Sequence, residues 1–216
     1  MLGPVTESPR TLQTSLPEAV GPRLRALRTG AGRSLTSVAR EIGISASALS
    51  QIEVGTRQPS VKRLIDIVGA LGVPVSAALD DAVFTRRPSC SDDAGGAETS
   101  QPLPGVQVAL PSADAQLGDG VTYRRLTPVA LPGLDLFEST YPPGSSSAPD
   151  GEMLTHHGHD TGCIVRGRLT FRFPDGAVEV PAGGTISFPA GRPHRVENGT
   201  GEVAVAIWAT VDLREG

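Results

Sequence analysis

Residues Ser34 to Pro59 read SLTSVAREIGISASALSQIEVGTRQP, two short amphipathic segments broken by Ile42, Gly43, Ile44 and Ser45. The spacing predicts a helix capped by Ser34, with Val38, Ala39 and Ile42 on one face and Gly43 supplying the left-handed residue that ends it. A second helix is expected to start at Ser45, whose hydroxyl can accept from a free backbone N–H. Its inward stripe would be Ala48, Leu49 and Ile52. That leaves Ala46, Ser47, Ser50 and Gln51 outward, all short or polar, where a solvated helix usually carries Glu and Lys. Two helices at this spacing, the second with a lean outer face, are how a major-groove reader is built.

The stretch from Gly21 to Leu79 resembles the lambda-repressor-like, or XRE-type, helix-turn-helix domain. The resemblance is carried by Ser50-Gln51-Ile52-Glu53, Gly55 and Pro59-Ser60. A first helix over Arg23–Arg28 turns Leu24 and Leu27 inward. Val61 to Leu71 repeats Leu64, Ile67, Val68 and Leu71 at helical spacing, and Val75 to Leu79 completes five helices. The resemblance implies base contacts from Ala46, Ser47, Ser50 and Gln51, and phosphate contacts from Thr56 and Arg57. Glu53 has the wrong sign for DNA and is expected to pair with an arginine of the first helices.

Regional charge agrees with that assignment. Residues 21–80 carry eight basic against four acidic side chains, a net +4, whereas residues 81–216 carry ten against seventeen, a net −7. The whole-chain value of −4 hides this division. Only the first part attracts phosphate.

The 216 residues suit two small domains. Residues 1–20 are expected to be a disordered tail, 21–80 the helical domain, 81–105 a flexible linker rich in Gly, Ser, Pro and acids, and 106–213 a second domain. No signal peptide or membrane span is apparent. Cys90 and Cys163 form no disulfide framework, so a bacterial cytoplasm is the expected compartment.

In the second domain, short alternating segments (121–126, 134–140, 168–173, 185–188 and 203–209) are separated by Gly, Pro and Asp, the pattern of a β-sandwich or barrel. Gly183, Pro189, Gly191, His194 and Asn198 have the complete spacing of the second cupin motif. Asp160 and Gly167 fit the end of the first motif, with His156 at its second histidine position and Leu154 where its first histidine would stand. The resemblance implies an α-then-β chain: a five-helix domain followed by a cupin, the double-stranded β-helix or jelly-roll barrel. The family's metal ligands carry over to His156, Asp160 and His194 only, so a divalent transition metal is optional here rather than required. Polar or aromatic residues in otherwise apolar strands, Glu138, Tyr141, Arg166, Arg172 and Trp208, are the expected small-molecule pocket.

The combination resembles bacterial XRE regulators with a cupin sensor. It implies a homodimer on pseudo-palindromic operator DNA, acting as a repressor whose affinity a small effector or metal changes. The competing expectation is a metal-dependent cupin enzyme, a dioxygenase or isomerase, fused to a DNA-binding domain. Leu154 weighs against it, because catalysis needs the full ligand set more than sensing does.

Overall fold

A computed structural model describes residues 20–79, 104–108 and 114–212. The expected tail, most of the expected linker and Cys90 lie outside the described residues. Five helices come first: α1 (Val20–Gly30), α2 (Leu35–Glu41), α3 (Ala46–Val54), α4 (Val61–Leu71) and α5 (Val75–Ala78). Local chemistry sets their ends. Ser34, Ser45 and Ser60 cap α2, α3 and α4 by accepting from the amides of Ser37, Ala48 and Arg63. Gly55 and Gly72 end α3 and α4 in the left-handed conformation, with φ of 83° and 68°. Val20, at the start of α1, is buried in the core of the helical domain.

Among the described residues nine strands follow: β1 (Ala115–Gln116), β2 (Thr122–Arg125), β3 (Leu134–Tyr141), β4 (His159–Arg166), β5 (Arg168–Phe173), β6 (Gly176–Pro181), β7 (Thr185–Pro189), β8 (Arg195–Glu197) and β9 (Ala204–Val211). They form an antiparallel six-stranded sheet, β1-β2-β3-β9-β4-β7, and a three-stranded sheet, β6-β5-β8. Strict alternation puts Phe137, Ser139 and Tyr141 of β3 inside, where Ile164 of β4, Ala206 and Trp208 of β9, and Leu169 and Phe171 of β5 in the other sheet are also buried. The expected sandwich is therefore present. Of its strands, β1, β6 and β8 have too few alternating apolar residues to be read from sequence; Val180 is the one buried residue of β6.

The two domains are joined directly, whatever path the chain takes between them. The amide of Gly118 donates to the Pro59 carbonyl at 2.8 Å, and that of Lys62 to the Ser147 carbonyl at 3.0 Å. Pro74 precedes α5 and has no capping side chain, so Asp135 of β3 fills that role, accepting from the Val75 amide at 2.9 Å. Two orphan amides at helix starts are thus satisfied by the barrel.

Helix α4 explains why the domains meet here. At 100° per residue its apolar side chains cover an arc of about 160°, from Ile67 through Leu71, Leu64, Val68 and Val61 to Ile65, wider than one contact needs. Val61 and Ile65 occupy the edge of that arc that meets the barrel, and they are only 1% and 8% exposed. Burying each contributes about 1.5–3 kcal/mol.

Candidate DNA-reading surface and barrel site

Helix α3 presents Ser47 and Gln51 fully outward, with Ala46 and Ser50 half-buried beside them. The inner face holds Leu49 and Ile52, while Ala48 is only half-buried. Thr56 and Arg57 are exposed in the following turn, where the Thr56 hydroxyl donates to the Gln51 carbonyl at 3.1 Å. Of the six residues expected to contact DNA, four are thus exposed and two half-buried, and the Thr56 hydroxyl ties the turn to the last part of α3. Val54 is exposed too, at 61%, and lies seven residues, two helical turns, after Ser47, on the same side of α3. That offset was the available signal, obscured because an apolar residue reads as core.

The orientation of α3 is fixed from behind. Glu53 is buried, and its carboxylate accepts from Arg28 of α1 through Nε at 2.6 Å and a terminal nitrogen at 2.8 Å. The third guanidinium nitrogen of Arg28 donates to the Arg33 carbonyl at 2.8 Å. The hydrogen bond that Arg28 donates to Glu53 holds the Arg28 pKa above its ordinary value. Gly21 lets α1 approach closely, since a Cβ there would fall 2.1 Å from the Ile52 carbonyl oxygen. The expected pairing of Glu53 with an early arginine is thus present, and it ties the recognition helix to α1.

In the barrel, a short antiparallel pairing brings the two motif histidines together. Leu154 and His194 exchange backbone hydrogen bonds at 2.8 and 3.0 Å, and the His156 amide donates to the Ala190 carbonyl at 3.1 Å. The imidazole rings sit edge to face with centroids 5.5 Å apart. Asp160, on β4, places one carboxylate oxygen 3.1 Å from His156 Nε2 and 3.8 Å from His194 Nε2, while its other oxygen accepts from Thr210 at 2.7 Å. Among the described residues, His156, Asp160 and His194 are the group whose ligand atoms gather within 4.8 Å.

Both Nδ1 atoms face backbone carbonyls, His157 at 3.1 Å and Arg192 at 2.8 Å. A carbonyl only accepts, so each Nδ1 carries the proton and each Nε2 of a neutral ring turns a lone pair toward the carboxylate. Acceptors converging in this way call for a cation among them, either a proton on an imidazole or a divalent metal. The outer-sphere carbonyls that fix both rings are the partners that metal-bound histidines use, so the donor set fits a transition ion. Burial pulls His156 toward the neutral form, but the hydrogen bond and charge of Asp160 outweigh it and raise the pKa. For His194 burial dominates and the pKa falls.

The cluster forms one end of a cavity of about 30 Å³, which is also lined by Leu154, Phe188, Tyr123, Tyr141, Trp208 and, from α4, Val61 and Ile65. Leu154 thus faces the space where a first-motif histidine would offer its ring. His157 is exposed, and His159 bonds Ser187 at 2.8 Å; neither joins the cluster. Tyr141 and Trp208 line the cavity, Trp208 donating to Ser139 at 2.9 Å. Burial drives the pKa of both Tyr123 and Tyr141 upward.

The other three expected pocket residues are corrected by the structure. Glu138 points to the outer face of β3, where Arg124 donates to it at 2.9 Å. Arg172 is exposed and ion-paired with Glu197, and Arg166 is exposed at the end of β4. Strand alternation carries Glu138 and Arg172 outward, whereas Arg166 shares the inward parity of Gly162 and Ile164 and is turned out by a bulge between Ile164 and Arg166 at the end of β4.

A cleft of about 1060 Å³ runs from the α2–α3 turn (Glu41, Ile42, Gly43) along α4 and the α4–α5 loop to the barrel, and it shares Ile65, Tyr123, Phe137 and His156 with the small cavity.

Among known families, the helix-turn-helix model HTH_3 matches residues 24–77 and the cupin-domain model Cupin_2 matches residues 137–210. The chain is 42% identical over 65 residues to the transcriptional regulator ClgR of Mycobacterium tuberculosis, covering 30% of this chain and 58% of ClgR, little more than half of that relative. It is 24% identical over 183 residues to the HTH-type transcriptional regulator PuuR of Escherichia coli, covering 83% and 88%. A crystal structure of an HTH_3 family transcriptional regulator from Vibrio cholerae has the same fold, with a TM-score of 0.62 at 24% identity, covering 91% of this chain and 96% of that one. No described helix is long and apolar enough to cross a membrane.

Proposed function

We propose, from the premise that this chain joins an XRE-type helix-turn-helix domain to a cupin domain, that it is a sequence-specific transcriptional regulator whose operator affinity is set by a small molecule or metal held in the barrel. The observation that carries this reading is the outward face of α3, where Ser47, Ser50 and Gln51 are followed by Arg57 on a domain of net charge +4. Gln51 can hydrogen-bond a base edge bidentately, Ser47 and Ser50 can each bond one, and Ala46 can meet a thymine methyl. Thr56 and Arg57 take phosphate and set the register.

Such a domain reads about one half-site, so the working form is a homodimer on a pseudo-palindrome with half-sites about 34 Å apart. It acts as a repressor in the bacterial cytoplasm. His156, Asp160 and His194 would hold a divalent ion, which when bound offers open coordination positions to an oxygen or nitrogen donor of the effector. The barrel acts as a sensor rather than an enzyme: Leu154 takes up the space of one imidazole, and the cavity beside the cluster has room for about one water.

Genomic footprinting in the native host tests this reading, followed by titration of the recovered duplex with metabolites of the flanking operons. A small set of discrete sites whose occupancy responds to one metabolite is expected. Binding spread evenly over DNA would overturn the regulator, and turnover of a metabolite by the metal-loaded protein would restore the enzyme.

A further inference from the structure

We propose that α4 of the helical domain is the lid of the barrel's ligand site, so that an occupant spanning from His156 and His194 to the mouth takes the space of Val61 and Ile65 and lifts the DNA-binding domain off the barrel. This rests on the reading of the chain as an effector-controlled DNA-binding protein, and it adds where the effector sits and which contact transmits it.

Four observations meet here. The cavity beside the cluster is about 30 Å³, whereas small-molecule sites run to about 300 Å³ or more, so one wall must move to admit an organic ligand. On the barrel side the strands are held by their ladders, the Ser147 and Leu154 connection by backbone bonds to Val196 and His194, and the core by the edge-to-face packing of Phe171 on Trp208. The remaining wall is Val61 and Ile65, apolar side chains on an element of the other domain, docked by the Gly118, Lys62 and Val75 hydrogen bonds. The adjoining cleft of about 1060 Å³ reaches this same wall and touches His156, which gives a ligand its approach.

The chemistry of the lining defines the occupant. The cluster offers two imidazoles and a carboxylate; the walls shared by cavity and cleft offer the stacked rings of Tyr123 and Phe137, with centroids 4.9 Å apart. A small molecule with one metal-binding or hydrogen-bonding head and an apolar body fits both. The output follows from chain continuity. Pro59 and Ser60 link the Arg57 turn to α4, and the Pro59 carbonyl is itself bonded to Gly118 of the barrel. Lifting α4 therefore releases the anchor beneath the phosphate-contacting turn.

The test uses the full chain, an operator duplex selected from random DNA, and collisional quenching of Trp208 by acrylamide, since Trp208 lines the cavity and is the one tryptophan of the sequence. Ile65→Glu places a charge in the apolar mouth and stands in for the occupant. It is expected to raise quenching and to weaken operator binding at least about fivefold, the lower end of ordinary allosteric coupling, with helical circular dichroism unchanged. Ile65→Leu should behave as wild type, and operator added to the wild type should lower quenching, by reciprocity. If Ile65→Glu fails to fold, Val61→Thr introduces a hydroxyl at the same mouth and is read in the same way. Raised quenching with wild-type operator affinity would overturn the lid while leaving the regulator intact, and unchanged quenching would overturn the closure itself. A wild-type chain that selects no DNA sequence would remove the regulator and the lid together.

Discussion

Removing the Glu53 carboxylate should destabilise the helical domain far more than an ordinary surface substitution. Glu53 is 4% exposed and Arg28 is 11% exposed at the side chain, so the pair sits largely out of water. It is bidentate, through contacts of 2.6 and 2.8 Å. In Glu53→Ala the guanidinium stays buried with only its bond to the Arg33 carbonyl, and breaking a buried pair on one side costs about 3–5 kcal/mol. For a domain of this size each kcal/mol lowers Tm by about 4 °C or more, so a fall of about 12 °C or more is expected. Urea denaturation followed by helical circular dichroism measures the loss, with the slope m unchanged if the denatured state is unaffected. The double variant Arg28→Met, Glu53→Leu should lose less than Glu53→Ala alone, because no unpaired charge is left inside. A loss below about 1 kcal/mol, as for a solvated surface pair, or a double variant equal to the sum of the singles, would refute the reasoning.

Other outcomes follow from the same packing and site geometry. Gly162→Ala would set a Cβ 2.6 Å from the Trp208 ring; overpacking of this kind costs about 1–3 kcal/mol, and thermal unfolding with a shifted tryptophan emission should report it, whereas an unchanged Tm would contradict the contact. Gly21→Ala drives a methyl into the Ile52 carbonyl at 2.1 Å and should separate α1 from α3, seen as faster amide exchange across α3; wild-type exchange would contradict it. Cobalt(II) titration by absorbance should give an affinity at least about tenfold weaker in His194→Ala, since disturbing even an outer-sphere partner costs that much. Leu154→His should tighten the same binding. Equal affinity in wild type and His194→Ala would remove the metal site.

The helical domain was legible because its signals are local. Serine caps at Ser34, Ser45 and Ser60 and the glycine at Gly55 set helix ends within a few residues, and the short outer side chains of α3 stand out in sequence. The barrel was legible where spacing fixes a turn, as from Gly183 to Asn198. Asn198 bonds the Tyr141 and Glu202 carbonyls and accepts from Thr200, so its place in the motif is that of a turn organiser.

What sequence could not give is which side of each barrel residue faces inward relative to a partner far along the chain. Glu138 and Arg172 looked conspicuous among apolar neighbours for the ordinary reason that outward strand positions are polar, and Arg166 has the inward parity of β4 but is turned out by a bulge that its spacing does not announce. Domain docking had a signal: the apolar arc of α4 is wider than its own domain requires. Val61 and Ile65 are the surplus, but only the fold shows that the barrel mouth covers them.

Selection of bound duplexes from random-sequence DNA, run in parallel on wild type, Gln51→Ala and Arg57→Ala, tests the account most directly. The wild type should recover one pseudo-palindromic sequence. Gln51→Ala should relax specificity at one position per half-site, a loss of about 1–3 kcal/mol there. Arg57→Ala should keep the same sequence while weakening all DNA alike and lowering the salt slope by about one. If no sequence is enriched, or if Arg57→Ala changes the preferred bases while Gln51→Ala leaves them intact, the assignment of α3 as the reading surface is wrong.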